Sequence, residues 1–247
     1  MKTRILKIGS NEKIAEKIFE MTFKCSSDES TQIAPGQFIN IRLDQVYLRR
    51  PISVCYVGES EIRIVYKVVG EGTKIMSRCA RGDGLDVLLP LGKGFNMKRP
   101  EKRPLLIGGG MGAAPLYGLC EKLQAMGKKP RAALGFTSGK EAFYIENFKR
   151  AGVPVQVATV DGSLGKTGVV TDIIAGLDYD CFYACGPEAM LKAVHREIPE
   201  DIYGEMSFEA RLGCGFGACM GCSCKTLIGS KRICKEGPVM NRGEVCW

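Results

Sequence analysis

The sequence holds 247 residues with 45% apolar and 25% charged side chains, proportions ordinary for a globular chain and ample for two domains plus a small module. No run of eighteen or more apolar residues occurs, which excludes a helical membrane span. The net charge of +8 is dispersed, without the aromatic-interleaved basic run of a nucleic-acid binder, and suits a chain that holds anionic cofactors.

Residues 1–98 read as all-β. The opening Met1-Lys-Thr-Arg-Ile-Leu-Lys-Ile8 is a strand pattern and not a signal peptide, so the expected compartment is the cytoplasm. Residues 37–43 and 62–69 alternate in the strand period. Turn-forming clusters at 26–30, 34–36, 81–84 and 90–92 punctuate them, which predicts a small barrel. Arg49-Arg50-Pro51-Ile52-Ser53 offers a forked cation and a hydroxyl for a diphosphate, or simply an arginine pair beside a turn. Gly70-Glu71-Gly72-Thr73 follows a strand and precedes a short helix expected over 73–78; its backbone N–H groups can face an anion or only make a turn.

The basic, proline-bearing stretch 98–104 marks a domain boundary. Residues 99–203 then alternate strand and helix as an open α/β sheet. A strand at 105–107 runs into Gly108, Gly109, Gly110, Met111 and Gly112, then a helix with Pro115 in its first turn. That is the setting in which a dinucleotide phosphate is held, and the helix shows Leu116, Leu119, Cys120 and Leu123 at helical spacing. Strands are expected at 131–136, 153–160 and 180–184, with helices at 167–177 and 188–198. Cys185-Gly186-Pro187 ends the last of these strands, where ligands of such sheets bind; Cys185 either meets a nicotinamide or is a buried structural thiol. Lys140 lies where a 2′-phosphate would be recognised, leaving NAD and NADP both open. The one histidine, His195, is expected at the surface among charged neighbours, which leaves little from which to build a triad or a zinc hydrolase.

Residues 204–247 carry Cys214, Cys219 and Cys222 in C-x4-C-x2-C spacing, with Cys234 following after eleven intervening residues. This is plant-type [2Fe–2S] spacing, and Gly213, Gly215, Gly217, Ala218 and Gly221 keep the loop free of bulk. A structural zinc site is the alternative, although it would show two short cysteine pairs. Cys224 and Cys246 compete for the fourth ligand position. The remaining cysteines are scattered through core-like segments of a sizeable chain, which fits a reducing compartment and not a disulfide framework.

In order and spacing these pieces resemble the ferredoxin–NADP reductase superfamily, in which a barrel holds FAD and an α/β domain holds NAD(P). Ile52 stands where that family's motif often has tyrosine. With Glu205-Met-Ser-Phe-Glu-Ala-Arg-Leu-Gly-Cys214 and Cys234-Lys-Glu-Gly-Pro238 added, the whole chain resembles the electron-transfer subunits of class 1B dihydroorotate dehydrogenase. The resemblance implies FAD contacts at Arg50, Pro51, Ile52, Ser53, Lys67, Val68, Val69, Gly72 and Thr73. It implies cluster ligation by Cys214, Cys219, Cys222 and Cys234, and NAD as the substrate of the α/β domain. It also implies a partner, an FMN-containing catalytic subunit that oxidises dihydroorotate in pyrimidine (UMP) biosynthesis, with two copies of each chain. A barrel enzyme of that kind takes about 250 residues, for which this chain has no space. The same building blocks occur in subunits of ferredoxin-dependent NADP oxidoreductases and sulfide dehydrogenases. A zinc-stabilised binding module is the non-enzymatic alternative.

Overall fold

The computed structural model describes residues 1–26 and 33–247; of the turn cluster expected at 26–30, residues 27–30 lie outside the described residues. The first six strands are β1 (Lys2–Ala15), β2 (Ile18–Lys24), β3 (Phe38–Arg42), β4 (Arg50–Val57), β5 (Glu61–Lys67) and β6 (Gly84–Leu91). They close a barrel in the order β1-β2-β5-β4-β3-β6. Alternation puts Ile39 and Ile41 of β3 inside with Met21, Phe23, Ile62 and Ile64, all essentially without solvent contact. Phe38 and Asn40 point the other way from the same strand and are nevertheless buried, because later chain covers that outer face. A short helix, α1 (Glu71–Met76), follows β5.

The second half is built on β7 (Pro104–Gly109), β8 (Arg131–Phe136), β9 (Val155–Thr159), β10 (Lys166–Thr167), β11 (Cys181–Cys185) and β12 (Tyr203–Ser207). Helices α2 (Ala113–Ala125), α3 (Ile145–Arg150) and α4 (Glu188–Glu197) lie between them. The central strands β7 and β11 are buried at every residue, as parallel strands covered on both faces must be. On α2 the predicted apolar set Leu116, Leu119, Cys120 and Leu123 is wholly buried. The remaining strands are the hairpin β13 (Ser223–Thr226) and β14 (Gly229–Arg232), and β15 (Val239–Asn241).

Three expectations are revised. Residues 167–177 form only a single 3-10 turn at Val170–Ile173. Gly168 and Gly176, at φ +138° and +75°, break the backbone on either side of it. Secondly, the α/β sheet continues past residue 203: β12 runs parallel to β11, and β15 closes the sheet antiparallel to β12. The cysteine segment therefore leaves from one sheet strand and returns to the sheet in the next. Thirdly, His195 is half-buried, with its ring 5.5 Å from that of Trp247.

Barrel and sheet are joined closely. Gly118 of α2 lies so near β4 that a Cβ there would stand 2.3 Å from the Cys55 carbonyl oxygen. The Cys55 thiol donates to the Tyr144 hydroxyl at 3.2 Å, and Tyr144 in turn donates to Glu20. The cysteine segment packs on the outer face of β3 and β6, where Phe38, Leu88 and Leu91 form one buried cluster with Cys222, Ile233, Cys234 and Met240.

Candidate cofactor cleft and cysteine loop

Between the barrel, the ends of the sheet strands and the segment after β12 lies a cleft of about 390 Å³, within the size range of small-molecule sites. Its barrel wall carries Arg50, Pro51, Ile52 and Ser53, then Lys67, Val69 and Thr73. The sheet wall carries Met111, Ala114, Pro115 and Cys185. Ser207, Phe208, Glu209, Ala210 and Leu212 form a third wall, closed below by Phe38, Ile233 and Pro238.

The two neighbouring arginines separate in role. Arg49 pairs with Asp86 at 2.9 Å and also donates to the Asn40 carbonyl, so it braces strands β3, β4 and β6. Arg50 reaches the cleft, and Gly72 makes room for it: a Cβ on Gly72 would stand 2.1 Å from Arg50 Nε. Thr73 is committed locally. Its hydroxyl accepts the Val69 and Gly70 N–H groups and donates to the Gly70 carbonyl. Val68 packs against the barrel core, and Lys67 crosses to Glu141 at 2.7 Å, tying the barrel wall to the sheet domain. The cleft therefore combines a cationic fork, a lysine and apolar flanks, which fits a flavin dinucleotide.

The glycine run packs largely inside the fold. Gly108, Gly109 and Gly112 are buried and do not line the cleft. A Cβ on Gly112 would stand 1.9 Å from the Cys185 carbonyl oxygen, and one on Gly109 would stand 2.3 Å from Met190 Sδ. These glycines let the start of α2 and the Cys185-Gly186 turn meet. Gly110, at φ +52°, is half-exposed with open space over it. Gly186 is buried, and Pro187 is exposed at the start of α4. Lys140 is outside the cleft, its carbonyl accepting Glu16 N–H.

Cys185 is buried yet lines the cleft. Burial, and then the Glu209 carboxylate, push its thiol up to about 12, with the Ser207 hydroxyl opposing. It is therefore a neutral thiol at physiological pH, suited to packing against a ring and not to nucleophilic attack. Phe208 and Glu209 stand inside the stretch from Glu205 to Cys214 that carries the resemblance, but that stretch assigns them no role. Their nearest signal is the alternation of β12, which carries their neighbour Ser207 into register with Cys185.

In the cysteine loop, Gly215 and Gly217 take φ of +78° and +92°, turning the backbone inward so that N–H groups face sulfur. Ala218 and Cys219 donate to Cys214 Sγ at 3.3 and 3.4 Å, and Cys214 N–H lies 3.5 Å from Cys219 Sγ. Burial opposes ionisation of Cys214, but the N–H groups of Cys219, Phe216 and Ala218 outweigh it and bring the thiol to about 6. Cys222 and Cys234 form a second pair, with sulfurs 3.3 Å apart. Burial and the neighbouring Cys222 raise Cys234 to about 12. Among the described residues no three metal-binding side chains converge at single-ion spacing. Two separate sulfur pairs match the donor set of a two-iron cluster, with two thiolates for each iron, better than that of one zinc ion. Arg232 holds the loop and the Cys234 segment together, donating to the Gly217 carbonyl at 2.8 Å and to both Glu236 oxygens. Cys224 instead points its thiol at the Lys231 carbonyl, and Cys246 is exposed.

This arrangement has counterparts among solved structures. The chain aligns over its full length with 91% of the NADH-dependent reduced ferredoxin-NADP oxidoreductase studied for flavin-based electron bifurcation, at a TM-score of 0.88 and 31% identity. It shares the fold of phthalate dioxygenase reductase at a TM-score of 0.68 and 20% identity, over 85% of this chain and 70% of that one. Fold and site thus define an oxidoreductase of ferredoxin-reductase type with an iron–sulfur module at its C-terminal end. A family profile for the iron–sulfur cluster binding domain of dihydroorotate dehydrogenase B matches residues 209–246. The electron transfer subunit of dihydroorotate dehydrogenase B (NAD(+)) from Fusobacterium nucleatum subsp. nucleatum is 39% identical, with 99% of each chain aligned. Its counterpart from Bacillus pumilus is 40% identical over 99% of this chain and 98% of the relative. The chain belongs to this family of dihydroorotate dehydrogenase B electron transfer subunits.

Proposed function

We infer that the protein carries electrons between a dihydroorotate-oxidising partner subunit and NAD+, using a [2Fe–2S] cluster and FAD. The observation that carries this reading is the position of Phe38, which lines the cleft and belongs to the buried cluster around Cys222 and Cys234. In this reading Phe38, together with Ile233, which shares both memberships, separates the two cofactor sites. When bound, FAD exchanges hydride with nicotinamide and single electrons with the cluster, so it belongs between them.

In this reading residues 1–98 hold FAD and 99–203 bind NAD, while the cluster is held within 204–247 by the segment between the sheet strands β12 and β15. Cys214, Cys219, Cys222 and Cys234 ligate the irons. Arg50 supplies a fixed positive charge for the diphosphate, and Ser53 a hydroxyl donor beside it. Ile52 and Phe208 form apolar flanks that keep water from the ring. Cys185 meets the nicotinamide as a neutral thiol, and Gly108, Gly109, Gly110, Gly112, Pro115, Gly186 and Pro187 set that wall. The partner is an FMN-containing catalytic subunit, present in two copies with two of this chain, and docks beside the exposed Phe216 and Met220 of the cysteine loop. The setting is cytoplasmic, and the route serves pyrimidine synthesis. No helix among the described residues is long and apolar enough to cross a membrane.

Co-purification with the partner tests this reading. The complex is expected to be coloured by flavin and iron–sulfur centres and to reduce NAD+ with dihydroorotate, whereas this chain alone does not oxidise dihydroorotate. Dihydroorotate oxidation by the isolated chain would overturn the two-subunit reading. Ferredoxin-linked NADPH oxidation in place of orotate-linked NADH oxidation would favour the function named for the full-length structural relative. Colourless protein that retains zinc would leave only a binding module.

A further inference from the structure

One polar side chain joins the barrel to the cysteine loop. Asn40 sits on the outer face of β3, two residues from Phe38 and paired in register with Pro51 of the cleft wall. It is fully buried. Its Nδ2 donates to the Cys214 carbonyl at 3.2 Å, across 174 residues of sequence. Gly215 makes room for that contact, since a Cβ there would stand 2.4 Å from the same Nδ2. Asn40 Oδ1 is buried with no partner among the described residues. Leaving an amide oxygen unpaired in the interior is costly, and a leucine of similar shape would pack there without that cost. Packing alone therefore does not account for an amide at this position.

The geometry points to Asn40 as a positioning residue of the electron relay: its amide fixes the backbone of Cys214 against the strand that borders the flavin cleft. This rests on the cofactor reading above. Phe38 meets the Cys222–Cys234 pair by apolar packing, which tolerates sliding. Asn40 meets the Cys214–Cys219 pair by a directional bond, which does not. One strand face thereby addresses both sulfur pairs and sets their distance from the cleft. The positive end of the amide dipole also faces the loop, which favours the more negative, reduced form of a cluster held there.

The test uses the complex with its partner. Asn40→Leu keeps the shape and removes the amide. It is expected to retain full flavin and iron, and to be reduced by NADH at the flavin as fast as the wild type. The EPR spectrum of the reduced cluster should shift, its midpoint potential should move negative, and flavin-to-cluster transfer should slow by about tenfold, the usual lower bound for losing a supporting contact of a metal site. Gly215→Ala pushes the same amide from the loop side and should produce a matching EPR change. If Asn40→Leu does not fold, Asn40→Ser carries the same expectation. Wild-type EPR, potential and transfer rate in loaded Asn40 variants would overturn the proposal, as would loss of FAD with an unchanged cluster spectrum. Absence of flavin and iron from the wild-type complex would bring down the cofactor reading and this inference together.

Discussion

Two glycine-rich segments stand out in the chain, and they use glycine in different proportions for conformation and for space. In the cysteine loop Gly215 and Gly217 supply positive φ, so that the backbone can turn its N–H groups onto sulfur, and Gly215 also clears space for Asn40. In the run 108–112, Gly109 and Gly112 supply absence of volume, so that Met190 and the Cys185 carbonyl can approach the chain. The first segment faces the cysteine sulfurs directly, and the second shapes the wall of the cleft from behind. Composition alone does not separate these uses; the difference lies in what stands opposite each missing Cβ.

The largest effect is expected at the proposed cluster ligands. Replacing Cys234 with Ser should abolish or badly weaken the cluster, read as lost iron and lost visible absorbance, while Cys246→Ser should keep both. The reverse result would move the fourth ligand to the chain's exposed end and undo the pairing of Cys222 with Cys234.

Next comes volume. Gly112→Ala drives a Cβ to 1.9 Å from a backbone oxygen that has no flexible end to yield. Overpacking of this kind costs about 3 kcal/mol, and a large drop in the urea midpoint is expected. Gly110→Ala meets nothing within 4 Å and has only its φ of +52° to overcome, about 1–2 kcal/mol. Equal losses for the two variants would show that conformation, and not close approach, governs this run as it governs the cysteine loop.

Most of the barrel and sheet was legible because strand alternation and the apolar spacing of α2 report burial directly. The grouping of the cysteines was legible because spacing is itself the chemical requirement of a cluster, and the fold brings Cys214 beside Cys219 and Cys222 beside Cys234. What was not legible depends on contacts between distant segments. The 167–177 stretch has the apolar residues of a helix, but its glycines confine it to one turn. Residues 203–207 read as the start of a new module, yet they pair with β11 because Tyr183 and Glu205 fall in register. Phe208 and Glu209 enter the cleft only through that pairing, and no local motif marks Asn40 or Arg232.

A smaller effect probes volume on the barrel side. Gly72→Ala would press on the Arg50 guanidinium, whose contact at 2.1 Å involves a side chain able to swing aside. The fold should survive while the cation leaves its place, weakening FAD about tenfold, equivalent to 1.4 kcal/mol. Flavin retention on dilution measures this. Unchanged retention would remove Arg50 from the diphosphate site.

The smallest expected effect concerns how the sheet is tied to the linker before it. Glu205 lies on β12, the strand from which the cysteine segment departs, and is buried. It accepts Asn96 N–H at 2.7 Å and the Tyr203 hydroxyl at 2.9 Å. Burial raises its carboxyl above the ordinary range, against the pull of those donors and of Lys93 and Arg99. Because the folded state holds the proton more tightly than the unfolded one, the contribution of Glu205 to stability is fully present below the ordinary carboxylate range and is lost as pH rises through the raised value. Glu205→Gln keeps the acceptor for Asn96 and cannot ionise. It should fold within about 1 kcal/mol of wild type and lose part of the decline in thermal midpoint between acidic and neutral pH. An identical pH profile in the two proteins would mean that the donors, and not burial, set the charge of this carboxyl, leaving β12 held by an ionised group much as Glu236 holds the cysteine loop through Arg232.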